Sequence, residues 1–187
     1  MQREKFGSKT LNIKKMTFKD LEDVYEIEKL SNPTPWSQTS FSDCLKGFYQ
    51  NLLITLDSET VAFCIMTINF TESHLLNISV HPNYRHKGIG EILLKTSEKK
   101  SINKGVSDIF LEVRESNKNA ISFYKKNGYK YVGIRKNYYK NSSGREDGLI
   151  FTKHLKISKL NSLYNQMTYM ITSKGYGFLE RDKGGDL

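Results

Sequence analysis

Residues 80–90 read Val80-His81-Pro82-Asn83-Tyr84-Arg85-His86-Lys87-Gly88-Ile89-Gly90, which is the strongest local signal in the chain. An apolar, strand-like segment ends here, and a segment with helical periodicity begins at Gly88. Gly88 and Gly90 lack side chains, so the backbone can approach a bulky diphosphate at a helix N-terminus. Arg85, His86 and Lys87 add positive charge beside it. The stretch predicts a phosphate-binding strand–loop–helix unit; the alternative is a tight turn that merely leads into a helix.

Strands and helices alternate on both sides of this loop in the second half of the chain. The patterns predict strand 74–80, helix 88–104, strand 108–114, helix 117–127 and a terminal hairpin of strands 130–139 and 146–154. Gly128 is placed to cap the C-terminus of helix 117–127. This alternation, with a parallel crossover and flanking hairpins, indicates a mixed α/β sheet.

The patterns in the first half of the chain predict further strands for that sheet and two more helices. In order, we expect a strand at 11–14, a helix after Thr17, a second helix after Ser37, and strands at 51–56 and 61–69 joined by a turn at 57–60. Pro33-Thr34-Pro35-Trp36 ends the first helix. Ser37 can cap the second helix, which is expected to carry Phe41, Leu45 and Phe48 on one side.

The composition fits one folded domain in the cytoplasm. The 187 residues are 37% hydrophobic and 12% aromatic, which excludes wholesale disorder. No apolar run approaches the roughly 18 residues of a membrane span, and the charged start Met1-Gln2-Arg3-Glu4-Lys5 predicts no export. We therefore expect Cys44 and Cys64 to be buried small hydrophobes in a reducing compartment.

The net charge of +9 favours anionic partners such as a phosphorylated cofactor or a ribosome. The lysines are spread along the chain, and no interleaved Arg/aromatic motif of RNA binding occurs. Direct nucleic-acid binding and membrane attachment are therefore not predicted. The four histidines show no ligand spacing, so no metal site is expected either.

The pattern Arg-x-x-Gly-x-Gly after an apolar strand resembles the pyrophosphate loop of the GNAT acyltransferases. It lacks the third glycine of G-x-G-x-x-G and the Gly-Lys-Ser/Thr of a P-loop. The resemblance continues through Leu111-Glu112-Val113-Arg114, Ser116-Asn117, Phe123-Tyr124 and Asn127-Gly128-Tyr129. It implies a GNAT fold: α/β, with a mixed, partly splayed central sheet flanked by helices.

Within the GNAT family, the chain is similar to the RimI-type ribosomal-protein-alanine N-acetyltransferases. Arg135-Lys136-Asn137-Tyr138-Tyr139, followed by Gly144-Arg145-Glu146-Asp147, carries this similarity, and Pro35-Trp36-Ser37 fits it. The resemblance implies acetyl-CoA as co-substrate, bound between strands 74–80 and 108–114, and a protein N-terminal amine as acceptor. It implies alanine of the eighteenth small-subunit ribosomal protein as substrate. Transfer is expected to be direct, since neither cysteine lies in a catalytic motif.

Glu112 is the residue on which the resemblance places the general base. In the strand, Ile109, Leu111 and Val113 face one way, so Glu112 leaves that apolar face. A carboxylate in mid-strand beside a ligand cleft could accept a proton directly or through water. From spacing alone, Glu112 could instead face solvent or pair with Arg114.

Tyr124 is the residue on which the resemblance places the general acid. A phenol with a pKa near 10 is a reasonable proton donor to a thiolate whose thiol has a pKa near 8.5. The alternative is a packing role, which tyrosines at helical spacing commonly have. Asn117, two turns earlier, has two compatible roles, as helix N-cap and as a contact to the cofactor.

The cofactor contacts implied by the resemblance are mostly backbone. They fall on Ile78, Ser79, Val80, Arg85, His86, Lys87, Gly88, Ile89, Gly90, Glu91 and Asn117. The exposed N–H groups of strand 77–80 can face the thioester as an oxyanion site. His86, Lys87 and Glu91 are expected to contribute backbone rather than side chains. Tyr138 and Tyr139 line the acceptor cleft by resemblance, or are edge-strand aromatics.

Two other functions stay open. The enzyme could acetylate another amine, such as a different protein N-terminus, a lysine or a small molecule. Alternatively, the chain could be a basic ribosome-associated binding protein without catalysis, although the presence of both Glu112 and Tyr124 argues against this.

The predicted GNAT domain spans residues 10–155, between an extension at 1–9 and a tail at 156–187. Apolar residues recur in the tail at the spacing of an amphipathic helix: Ile157, Leu160, Leu163, Tyr164, Met167, Met170 and Ile171. We expect this helix to cover a surface of its own domain, or else to contact a second copy or the ribosome.

Overall fold

The computed structural model describes residues 2–69, 71–141 and 144–156. Within these ranges the chain forms eight strands and four α-helices, in the order β1 (Gln2–Phe6), β2 (Lys9–Lys15), α1 (Leu21–Ser31), α2 (Gln38–Lys46), β3 (Tyr49–Leu56), β4 (Glu59–Asn69), β5 (Glu72–Val80), α3 (Ile89–Asn103), β6 (Asp108–Arg114), α4 (Lys118–Lys126), β7 (Lys130–Asn141) and β8 (Gly144–His154). The predicted tail helix lies outside the described residues, and the domain limits of 10–155 stay a prediction.

The strands form one mixed sheet. Their order across the sheet is β1-β2-β3-β4-β5-β6-β8-β7. β5 and β6 are parallel and are connected through α3, whereas the other described neighbours are antiparallel. The predicted mixed α/β fold class is confirmed.

Helices cover both faces of the sheet. On one face, α1 and α2 bury Val24, Ile27 and Phe41 against Phe63 of β4. On the other face, α3 and α4 pack against the larger core cluster, which includes Leu93 of α3, Cys64 and Tyr124. Cys44 and Cys64 are free and buried, as expected. No helix among the described residues is long and apolar enough to span a membrane.

Local signals placed the helix ends correctly. Ser37 caps α2, where its side chain accepts a hydrogen bond from the Ser40 N–H. α4 ends at Lys126, and Gly128, which follows the C-cap Asn127, has a φ of +86°. There the Gly128 N–H donates to Lys125 O and the Tyr129 N–H donates to Tyr124 O, both at 3.0 Å. These two bonds close the helix in the manner that a left-handed glycine allows.

The prediction that α2 carries Phe48 on one side with Phe41 and Leu45 is wrong for Phe48. It is 99% exposed. The reason is that α2 ends at Lys46, with Gly47 as its C-cap, so Phe48 lies beyond the helix. The ring of Tyr49 occupies the space beside Gly47, where an added Cβ would come within 2.6 Å of it.

The β3–β4 turn is tighter than predicted. Asp57 and Ser58 have φ values of +48° and +79°, as the two central residues of a type I′ turn require. Glu59 and Thr60 already pair with Leu56 and Thr55 in the strands.

Candidate active site

The sheet opens between its two parallel strands. β5 and β6 pair only from Glu72↔Asp108 to Leu75↔Leu111. Residues 76–80 of β5 and 112–114 of β6 have no recorded pairing with each other. A cleft therefore opens toward the C-terminal ends of two parallel strands, where ligands of α/β proteins commonly bind. The partly splayed sheet expected from the sequence is observed.

A β-bulge explains where the strands separate. Ile65 of β4 faces Asn77, whereas the next residue, Met66, faces Leu75. Leu76 is thus an extra residue in β5, and such a bulge bends its strand. The pairing with β6 stops directly before this residue. The bulge could not be predicted from the sequence, because no glycine or proline marks the position.

The backbone of Ile78 and Val80 is directed toward the cleft. The His81 N–H donates to Val61 O at 2.8 Å, and residues of antiparallel strands alternately face toward and away from their partner. In the observed register, Ile78 and Val80 therefore turn their N–H and C=O groups away from β4. Arg85 Nε donates to Val80 O at 3.1 Å, which agrees with this direction. Ser79 lies between them, with its backbone toward β4.

The loop before α3 has the backbone geometry of an anion site. His86 and Gly88 have φ values of +59° and +82°. Left-handed residues beside right-handed ones form concave nests of N–H groups. The N–H groups of Ile89, Gly90 and Glu91 follow in the first turn of α3, where an α-helix leaves them without intrahelical acceptors. Together they offer several donors at a helix N-terminus.

The side chains of the loop are largely engaged with the protein itself. Arg85 Nη2 donates to Ser31 Oγ at 2.9 Å, at the end of α1. Lys87 Nζ donates to Asn83 O at 3.0 Å and lies over the Tyr84 ring. Ile89 is buried in the core, and Glu91 is exposed beside a shallow depression along α3. The loop therefore offers a ligand mainly its backbone.

Gly90 lies between the end of β5 and α4. A Cβ built on Gly90 would stand 3.5 Å from Val80 Cγ2 and 3.7 Å from the Phe123 ring. These are ordinary contacts, so one methyl group fits. A larger side chain would project further into the space between the strand and the helix.

We expect Gly90→Val to raise the Kd for CoA at least about tenfold, which corresponds to roughly 1.4 kcal/mol. The physical reason is that the γ carbons obstruct close approach of a ligand to the loop backbone. Gly90→Ala is the matched control and should have the smaller effect. Isothermal titration calorimetry measures both, after thermal melts show that the variants are folded. An unchanged affinity in Gly90→Val would mean that the phosphates bind elsewhere.

Glu112 is the first residue of β6 beyond its pairing with β5, and its side chain lies on the α1 and α2 side of the sheet. Ile109, Leu111 and Val113 face the opposite core cluster, so the predicted alternation is observed. The Glu112 side chain is 15% exposed, and its Oε1 lies 3.2 Å from Nη2 of Arg135. It does not pair with Arg114, contrary to the alternative raised from the sequence. Arg114 instead pairs with Glu146 at 2.9 Å.

Arg114 connects the segments around the same end of the cleft. Its guanidinium donates to Lys140 O of β7 at 2.9 Å and contacts Thr34 Oγ1 in the α1–α2 loop. The Tyr139 ring lies 4.5 Å from Arg114 Cζ. This bridging role was missed, although Glu146, its acidic partner, belongs to a motif that the sequence had singled out.

Glu28 fixes the α1–α2 loop to the cleft strand, and its role was also missed. It is fully buried at the end of α1. Its Oε1 accepts from the Trp36 N–H at 3.1 Å, and its Oε2 accepts from Asn77 Nδ2 of β5 at 3.2 Å. A buried carboxylate needs such donors, but periodicity alone does not identify them.

Tyr124 lies on the other face of the sheet, in α4. It is 7% exposed and belongs to the core cluster that contains Cys64. Burial raises the pKa of the Tyr124 phenol well above its usual value, and Cys64 and Tyr139 raise it further. Burial likewise raises the pKa of Tyr139, with Tyr138 and the Glu112 carboxylate adding to the shift.

Asn117 caps α4. Its Oδ1 accepts a hydrogen bond from the Ala120 N–H at 3.1 Å, which bears out the N-cap role. In the part of the chain that the structure describes, no group of three or more His, Cys, Asp and Glu residues is arranged to hold a metal ion.

The class of protein is defined by two features together. One is a strand–loop–helix unit whose backbone has the geometry of an anion site, and the other is the splayed pair of parallel strands beside it. Residues 21–129 match the acetyltransferase (GNAT) family, which is more than half of the chain. The chain therefore belongs to the GNAT family, and by family it is an acetyl-CoA-dependent N-acetyltransferase.

The names of individual relatives are more specific than the name of the family. The chain is 37% identical over 131 residues to the ribosomal protein bS18-alanine N-acetyltransferase of Escherichia coli strain K12, covering 70% of this chain and 88% of that protein. The enzyme of the same name from Haemophilus influenzae is 37% identical over 137 residues, covering 73% and 93%. The crystal structure of the Escherichia coli ribosomal-protein-S18-alanine N-acetyltransferase superposes with a TM-score of 0.74 and 33% identity, covering 79% of this chain and 96% of that one.

Proposed function

We propose that this protein transfers the acetyl group of acetyl-CoA to the N-terminal alanine of ribosomal protein bS18. One observation supports the proposal above all. The loop at 85–91, whose backbone has the geometry of an anion site, and the largely buried carboxylate of Glu112 lie at the same opening of the sheet. The names of the relatives support this acceptor. We further propose that the reaction takes place in the cytoplasm.

In the proposed mechanism the acceptor nitrogen attacks the thioester carbonyl carbon directly. Glu112 accepts the proton that the amine loses, either directly or through one water. The C–S bond then breaks, and the CoA thiolate takes a proton from the Tyr124 hydroxyl. The products are the N-acetylated chain end and CoA, and solvent exchange restores the proton on Tyr124 and removes it from Glu112.

The backbone of β5 would stabilise the oxyanion. The N–H groups of Ile78 and Val80 are directed away from β4, so they are available to the carbonyl oxygen as it becomes negative. The diphosphate would be held by the backbone of residues 86–91, with Asn117 as a further contact. The engaged side chains of Arg85 and Lys87 support a mainly backbone role for this loop.

The raised pKa of Tyr124 bears on its proposed role as the acid. It keeps the phenol protonated across the physiological pH range, as a proton donor requires. A dry cleft also raises the pKa of the leaving thiol, because both anions lose solvation. Burial therefore raises the pKa of the proton donor, Tyr124, and the pKa of the proton acceptor, the CoA thiolate.

The acceptor would enter on the face that carries Glu112. The α1–α2 loop and the β7–β8 hairpin flank this face, and Arg114 bridges them through Thr34, Lys140 and Glu146. Tyr138 is 42% exposed here, and its ring lies 4.8 Å from that of Tyr139. The two tyrosines are well placed to line the acceptor path.

Mass spectrometry of ribosomal-protein N-termini tests the acceptor. In cells that lack the gene, the N-terminal alanine of bS18 should lose its acetyl group. The wild-type gene should restore the group, and the Glu112→Gln gene should not. Unchanged acetylation of bS18 would contradict the proposal, and loss of acetylation at another N-terminus or at a lysine would assign a different amine.

A further inference from the structure

Arg135 reaches Glu112 from two strands away. In the register of the sheet, Arg135 of β7 and Arg114 of β6 lie on either side of Gly148 of β8. Gly148 has no side chain, and the rings of Tyr138 and Tyr139 lie beside it: a Cβ built there would stand 3.0 Å from Tyr138 Cδ1 and 3.2 Å from Tyr139 Cε2. The Arg135 guanidinium crosses β8 and ends 3.2 Å from Glu112 Oε1.

A bulge in β7 holds Arg135 in this position. Arg135 faces Gly148, whereas Tyr139, four residues later, faces Glu146, so β7 carries two extra residues here. Asn137 takes a left-handed φ of +52° in the bulge. Asp147 accepts from the Asn137 N–H and from Lys136 Nζ, both at 2.8 Å. The bulge also brings the Tyr138 ring to 5.2 Å from the Arg135 guanidinium carbon.

The pair is poorly explained as a stabilising contact. The Arg135 side chain is 51% exposed, and ion pairs with such an exposed partner contribute little to folding. The guanidinium instead lies between an aromatic ring and a carboxylate, which restricts both groups. Among the described residues, no hydrogen bond to Glu112 Oε2 is recorded.

We propose that Arg135 is a positioning residue for Glu112. This inference rests on the proposed role of Glu112 as the general base. The guanidinium holds Oε1 and thereby fixes the plane of the carboxylate, which leaves Oε2 for the proton of the acceptor. Arg135 does not touch the reacting atoms; it acts through the orientation of the base.

A double-mutant cycle tests this inference. Arg135→Gln should lower kcat at least about tenfold, with the Kd for acetyl-CoA and the melting temperature unchanged. Arg135→Lys should recover part of the rate, because an ammonium keeps the charge but not the planar fork. In the Glu112→Gln background, Arg135→Gln should cause no further loss, since the group that it orients is already disabled. Lys130→Gln, at an exposed lysine of the same strand, is the control and should keep wild-type kcat.

Failure of the positioning role and failure of the base assignment would give different results. Wild-type kcat in Arg135→Gln, or the same loss with and without Glu112, would overturn the positioning role while leaving the base assignment intact. Wild-type turnover of the single Glu112→Gln variant would instead contradict the base assignment, and the role of Arg135 would fall with it.

Discussion

Replacement of Glu112 by glutamine is expected to lower kcat about 10²–10⁴-fold while the Kd for acetyl-CoA changes little. Glutamine keeps the shape of the side chain and an oxygen atom beside Arg135, but it cannot take a proton from the amine. Steady-state kinetics over pH 6–9, combined with calorimetry of acetyl-CoA binding, measures both quantities.

Glu115→Gln is the matched control for this variant. It removes the same charge just after β6, at an exposed position, and should leave kcat at the wild-type value. If Glu112→Gln turned over like the wild type across the whole pH range, Glu112 would not be the base. A loss of the same size in both variants would point to the local charge instead.

Tyr124→Phe is expected to lower kcat roughly 10²-fold or more, with little change in stability. The substitution keeps the buried ring and removes only the hydroxyl. Because burial raises the pKa of Tyr124, the wild-type rate should not fall between about pH 7 and pH 10 through loss of this proton. Stopped-flow detection of free CoA thiol across that range measures the rate.

Tyr129→Phe separates the chemical role of Tyr124 from packing. Tyr129 is also buried, and its ring lies 5.7 Å from that of Tyr124, so the control removes a hydroxyl from the same cluster. It should turn over like the wild type. Full activity of Tyr124→Phe would assign Tyr124 to the core alone.

The parts of the fold set by local physics could be predicted from the sequence. Helix ends follow from single residues: Ser37 accepts an orphan N–H, and Gly128 takes a left-handed conformation. The alternation around Glu112 likewise follows from the two-residue period of a strand. The loop at 85–90 was identifiable because its glycines and its place between a strand and a helix both allow a phosphate to approach the backbone at a helix N-terminus.

The parts set by register between distant strands could not be predicted. The bulge at Leu76 depends on how β5 pairs with β4, and no local signal in β5 marks it. The contact of Arg135 with Glu112 depends on two strand registers, that of β6 with β8 and that of β7 with β8. The alternative in which Glu112 pairs with Arg114 is wrong for this reason, since sequence proximity does not decide pairing across a sheet. β1 was missed as well: it pairs with β2 in a segment expected to be an extension.

Acetylation of a synthetic peptide by the purified protein is a direct test of the proposed activity. A peptide with the N-terminal sequence of bS18 and one internal lysine is incubated with acetyl-CoA, and tandem mass spectrometry locates the acetyl group. We expect one acetyl group on the α-amine of the alanine, one equivalent of free CoA, and almost no product with Glu112→Gln. An unmodified peptide with intact acetyl-CoA, or acetylation of the lysine alone, would contradict the proposed activity.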